Sequence, residues 1–167
     1  AAMQIGLDST LTLAARLEQV RRFAADPHFG VREIAWLAVR DAVAADLEMA
    51  LELLRPWVLD ADPNLRRFAS EVTRPRGVWC VHLDALKINP EPGLQLLEAL
   101  RADPSRYVQN SVANWLNDAA KSRPDWVIER CARWQMESPE KSTDYICRRG
   151  LRTLQKANSS SKIVTNE

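Results

Sequence analysis

Arg67, Glu71 and Arg74 stand at positions i, i+4 and i+7 of one segment, and Asn110, Asn114, Asn117/Asp118 and Lys121 repeat that spacing in a later one. Residues three, four and seven apart share a helix face. Two segments therefore each place a carboxylate beside cations on a single stripe. Glu33 and Arg40, seven apart with Trp36 between them, make a third polar stripe, and Arg148, Arg149, Arg152 and Lys156 a fourth. A carboxylate kept ionised by neighbouring cations can stabilise a developing positive charge. Guanidinium groups suit two-point contact with phosphate. One such stripe alone reads as a solvated face with weak ion pairs; four in succession do not.

The asparagines add weight to this. Asn is a mediocre helix former because its side chain competes for backbone hydrogen bonds. Three within eight residues, Asn110 to Asn117, are unfavourable by a few tenths of a kcal/mol each. Hydrogen bonding to a ligand, or between neighbouring helices, would justify them.

The elements that must carry the stripes open on turn-forming stretches: "DPHFGVRE", "DPNLRRFASE", "DPSRYVQNSVANWLND" and "TDYICRRGLRTLQK". Their first apolar anchors, Val31, Leu65, Val108 and Ile146, are 34, 43 and 38 residues apart. Imperfect periods near 40 residues are the mark of two-helix HEAT and armadillo repeats. Such repeats stack into a solenoid whose inner helices line one concave surface. The expected fold is all-α, a right-handed α-α superhelix of about four helix pairs over residues 1–156. On that surface cations would form the rim of a cleft and two or three carboxylates its floor.

Local signals set the boundaries. A cap at Asp8, Ser9 or Thr10 is expected to open the helix bearing Leu13, Leu17, Val20 and Ala24, which Asp26-Pro27 and Gly30 end. The leading Ala1-Ala2-Met3 reads as a clipped start rather than a targeting segment. Pro56 is expected to kink or end the helix over residues 47–58. Asp62-Pro63 puts an N-cap before a proline at the first helical position, and Asp103-Pro104 repeats the signal. Arg123-Pro124-Asp125 opens another helix, and the last is expected from Thr143 to Lys156. No period-two run suggests a strand. The tail "ANSSSKIVTNE" is polar and expected to be disordered.

Bulk composition narrows the classes. The 167 residues are 46% hydrophobic and 27% charged, ordinary for one globular domain. A net charge of +1 gives no global basic field, although the cations are 18 Arg and only 5 Lys. No apolar run reaches the length of a membrane span. Cys80, Cys131 and Cys147 are odd in number and form no C-x-x-C pair, which points away from disulfides and zinc and towards a reducing cytoplasm. Trp57, Trp126 and Trp134 have apolar neighbours and are expected in the core, as packing residues; Trp79 and Trp115 are also read as packing. His28 and His82 read as turn and surface residues.

The segments "RRFASEVTRPRGVW" and "DPSRYVQNSVANWLNDAAKSRPDWV" resemble the bacterial DNA alkylation-repair glycosylases with HEAT-like repeats, the AlkC/AlkD type, and the AlkC branch more closely. The similar patterns are RR-x-x-SE-x-x-RPR-x-x-W over Arg66 to Trp79, DP-x-x-YV-x-x-SVAN-x-LND-x-x-K over Asp103 to Lys121, and LRTL-x-K over Leu151 to Lys156. The resemblance implies a monofunctional DNA glycosylase that removes cationic N-alkylpurines such as 3-methyladenine from duplex DNA on the concave face, without base flipping. It implies Glu71 and Asp118 as catalytic carboxylates, with Glu33 in the less distinctive "VREIAW" as a third. It also implies a bacterial, cytoplasmic, nucleoid-associated monomer that needs no cofactor or metal.

Gly77-Val78 and Arg149 depart from the family pattern, and the family carries further helices at both ends. A catalytically inactive HEAT-like module that binds DNA or a protein is the alternative expectation. On the enzyme reading, an N-alkylated purine already carries positive charge, so no general acid is required and the paucity of histidine fits. An ionised carboxylate near C1′ stabilises the oxocarbenium-like sugar and places a water. Arg67, Arg74, Arg76, Asn114, Lys121, Arg148, Arg149, Arg152 and Lys156 are the expected DNA contacts, independent of sequence and sensitive to salt.

Overall fold

The structure, a computed structural model, describes residues 1–156. The tail expected to be disordered, residues 157–167, lies outside the described residues. Ten α-helices are described: α1 (Ala2–Leu7), α2 (Leu13–Ala24), α3 (Phe29–Ala45), α4 (Leu47–Leu54), α5 (Pro63–Val72), α6 (Asp84–Ile88), α7 (Leu94–Leu100), α8 (Arg106–Ala120), α9 (Pro124–Glu137) and α10 (Lys141–Gly150). Short 3-10 turns lie at Trp57–Leu59 and Glu91–Gly93. There is no strand among the described residues. The four expected pairs are α2/α3, α4/α5, α7/α8 and α9/α10.

The second helix of each pair packs against the second helix of the next. α3 meets α5, α5 meets α8, and α8 meets α10, giving one continuous row. Apolar spacing explains this. Leu65, Phe68, Ala69 and Val72 bury one face of α5, and Val108, Val112, Trp115 and Ala119 bury that of α8. At Gly150 the row closes up: a β-carbon there would sit 2.9 Å from Leu116 Cβ, so only glycine lets α10 approach α8 so closely.

Caps define where each helix begins. Asp62 accepts the Asn64 amide at 2.8 Å ahead of Pro63, as its sequence signals, and Asp46 caps α4 through Met49. Each such cap is worth about 1 kcal/mol. Pro56 ends α4 and leaves the 3-10 turn behind it.

Four boundaries differ from expectation. Thr12, not Asp8 to Thr10, caps α2 by accepting from Ala15, because Asp8 terminates α1 and binds Thr10 instead. Ala2–Leu7 is a helix packed on α3, with Gly6 so near the Ala38 carbonyl that no side chain fits between them. Ser105 precedes α8, and Asp103 accepts the Ser105 amide and binds Arg66. The last helix pauses at Leu151 and resumes over residues 152–156.

Candidate functional site

Three adjacent helices of the row each contribute one carboxylate. Glu33 comes from α3, Glu71 from α5 and Asp118 from α8. Glu71 and Asp118 are each only 3% exposed. Arg74, just past the end of α5, joins them: its Nη1 donates to Glu71 Oε1 at 2.7 Å and its Nε to Asp118 Oδ2 at 2.9 Å. Arg67 lies between Glu33 and Glu71, 3.7 and 3.5 Å from their oxygens, and Lys121 lies 3.6 Å from Asp118. Across the three helices the order is therefore Glu33, Arg67, Glu71, Arg74, Asp118, Lys121, with the sign of charge alternating at every step.

Position in the row decides how each carboxylate is held. Ser111 of α8 donates to Glu71 Oε2 at 2.6 Å, so both Glu71 oxygens are bonded. Buried carboxylates tolerate desolvation only when paired in this way. Burial alone would weaken Arg74's hold on its proton, but Glu71 and Asp118 outweigh it and keep the guanidinium above its ordinary value. Glu33 is different. Its side chain is 36% exposed and accepts from Trp36 Nε1 at 3.0 Å.

Space beside Glu33 and Glu71 is scarce. The crevice among Trp36, Glu33, Arg67, Glu71 and Tyr107 holds about 10 Å³, the room of one water molecule and far less than a purine. Larger clefts lie elsewhere, one of about 560 Å³ between Arg106, Tyr145 and Arg148. Among the described residues no group of three or more His, Cys, Asp or Glu side chains is arranged to hold a metal ion.

The asparagine stripe goes to neighbouring protein. Asn110 accepts from the Tyr145 hydroxyl at 2.7 Å, Asn114 from Arg152 at 2.9 Å, and Asn117 from the Thr153 hydroxyl at 2.8 Å. Asn114 and Arg152, both expected to touch DNA, thus bond each other. Arg67 and Arg74 are engaged with the carboxylates, and Arg76 donates to Ser122 at 2.6 Å. Arg148, Arg149 and Lys156 are exposed. Arg40, read from its spacing as part of a polar stripe, is buried.

Trp57, Trp115 and Trp134 are buried as expected, and Trp126 is partly so, donating to Glu91. Trp79 overturns its expectation. It is 94% exposed and its backbone φ is 59°, in the left-handed region that bulky residues rarely adopt. The cause is the short strap after α5, where the Leu83 amide bonds the Pro75 carbonyl at 3.0 Å and turns the intervening residues outward. Arg-Pro-Arg followed by Gly77 was the available signal for a projecting turn.

The helical row defines the class: an all-α solenoid of HEAT-like repeats with an acidic line across its stacked helices. Residues 31–135 match the family described as "DNA alkylation repair enzyme", and the chain belongs to that family. That span contains Glu33, Glu71 and Asp118 and stops before α10.

The chain is 40% identical over 119 residues to the protein YhaZ of Bacillus subtilis (strain 168), covering 71% of this chain and 33% of that protein. It superposes on the Pseudomonas fluorescens alkylpurine DNA glycosylase AlkC bound to DNA containing an abasic site analog, with a TM-score of 0.69 and 32% identity. That match covers 86% of this chain and 42% of the other. The match therefore spans less than half the length of either relative. No described helix is long and apolar enough to cross a membrane.

Proposed function

We propose that the chain carries the excision site of a DNA N-glycosylase acting on cationic N-alkylpurines such as 3-methyladenine. The observation that carries this reading is the pair of buried carboxylates, Glu71 and Asp118, held by one arginine on neighbouring helices of the row. Membership of the repair family and likeness to an alkylpurine glycosylase support it. The duplex lies across the face formed by α3, α5, α8 and α10.

A purine alkylated at N3 or N7 leaves as a neutral base when the C1′–N bond breaks, taking the bonding pair with it. The positive charge passes to the sugar. Glu71 and Asp118 supply fixed negative charge opposite it, an effect worth about 3–4 kcal/mol when preorganised. Glu33, the accessible carboxylate, orients the water that adds to C1′ and accepts its proton. A crevice with room for one water molecule suits that role.

Arg67 and Arg74 hold the acids in place rather than gripping phosphate. Lys121, Arg76, Arg148, Arg149 and Lys156 are the backbone contacts, and Trp79 packs on a sugar or base.

The internal pairing of every acid supports a second reading, a HEAT-like module that binds DNA or protein without excision. Release of 3-methyladenine from methylated duplex, with binding followed at several salt concentrations, separates the two. Release supports the glycosylase. Binding that weakens steeply with salt but yields no free base supports the module, and no binding at low salt favours a protein partner.

A further inference from the structure

Arg40 sits in the middle of α3 with 1% of its surface exposed. No carboxylate among the described residues comes within ion-pair distance of it. Instead its guanidinium donates to three carbonyl oxygens: Nη1 to Val72 at 2.6 Å, Nη2 to Arg74 at 2.6 Å and Nε to Val81 at 3.0 Å. A charged group is seldom buried on neutral partners alone. Here the partners explain the placement. The Val72 carbonyl is at the C-terminal end of α5, where helix carbonyls lack intrahelical donors and the dipole favours a cation, and the Arg74 carbonyl lies just beyond it. The Val81 carbonyl belongs to the far side of the strap, beyond Trp79.

We infer that Arg40 is a positioning residue, fixing from α3 the strap over residues 73–81 that holds Arg74 against the acidic pair and turns Trp79 outward. This rests on the glycosylase reading for its catalytic consequence, though not for its structural one. Arg40 touches neither a carboxylate of the row nor the surface where DNA lies. It acts through Arg74, whose backbone oxygen it binds and whose side chain bridges Glu71 and Asp118.

The strap needs such a hold. Trp79 in the left-handed region is strained and persists only where the surroundings over-determine it. Arg40 and the Leu83–Pro75 bond each tie the two ends of the strap together. The planar fork of a guanidinium is what lets one side chain reach three divergent oxygens; an ammonium is a single point.

Arg40→Lys and Arg40→Met test this on the whole chain. Lysine retains the charge without the fork, and methionine retains bulk without the charge. The Leu83 amide reports the strap by hydrogen exchange, and single-turnover release of 3-methyladenine at saturating enzyme reports the site. In both variants the Leu83 amide should lose at least about tenfold of its protection while amides within α5 and α8 keep theirs. Release should fall about 10- to 100-fold even at saturating enzyme, as expected when reacting groups shift by about 1 Å. Should Arg40→Met not fold, Arg40→Lys carries both readouts.

Unchanged Leu83 protection overturns the inference whatever the activity. Lost protection with wild-type release by Arg40→Lys overturns the positioning role. If the unsubstituted chain releases no base, the glycosylase reading falls, and Leu83 exchange alone decides whether Arg40 holds the strap.

Discussion

The α5–α8 and α8–α10 interfaces are built from the same repeat yet filled with opposite chemistry. Between α5 and α8 stand Glu71, Arg74 and Asp118, charged and almost without solvent. Between α8 and the last helical segment stand amides and hydroxyls with one arginine and no acid in the bonded pairs: Asn110 with Tyr145, Asn114 with Arg152, Asn117 with Thr153. Neutral side-chain bonds would have joined α5 to α8 equally well. Buried ion pairs often stabilise no better than well-packed apolar side chains of similar volume. Paired buried charge at one interface and asparagine bonds at the next is the contrast that the glycosylase reading expects.

The contrast can be broken most forcefully at Arg74. Arg74→Met leaves two buried acids facing each other with their shared cation removed, and it should lower unfolding stability by about 3–5 kcal/mol in urea titration. A loss below about 1 kcal/mol would mean that the acids are wetter than their exposure indicates. Trp79→Ala sharpens the comparison from outside, because it removes an exposed ring that packs on nothing. It should weaken duplex affinity by about 1–3 kcal/mol with an unchanged melting temperature. Asn117→Ala probes the neutral interface. It should lower stability by about 1 kcal/mol and leave base release within about threefold of the unsubstituted chain.

Sequence and structure agree best where local chemistry is decisive. Asp62 before Pro63 opens α5, Pro56 ends α4, and the periodic apolar anchors place four helices in one row. The pairing of Arg67, Glu71 and Arg74 was legible from spacing because it lies at one helix end. The bridge from Arg74 to Asp118 was not, since it depends on how two helices separated by 44 positions are stacked.

Arg40 shows the limit of stripe reasoning. Its spacing from Glu33 suggests a shared face, yet the arginine stem is long enough to leave that face and end on the carbonyls of another helix. Trp79 misleads for the opposite reason: an aromatic residue normally signals burial, and the strap's geometry outweighs that preference. Asp103 misplaces a helix start: it accepts the amide two residues on, as Asp62 does, and also binds Arg66, yet α8 begins only after Ser105.

Asp118→Asn is the most direct test of the central claim. It preserves shape and one acceptor for Arg74 while removing the charge. Single-turnover release of 3-methyladenine from a methylated duplex should slow by about 10²–10³-fold, with duplex binding held within about threefold. Release by Asp118→Asn within about threefold of the unsubstituted chain would contradict the claim that the charged interface is the excision site.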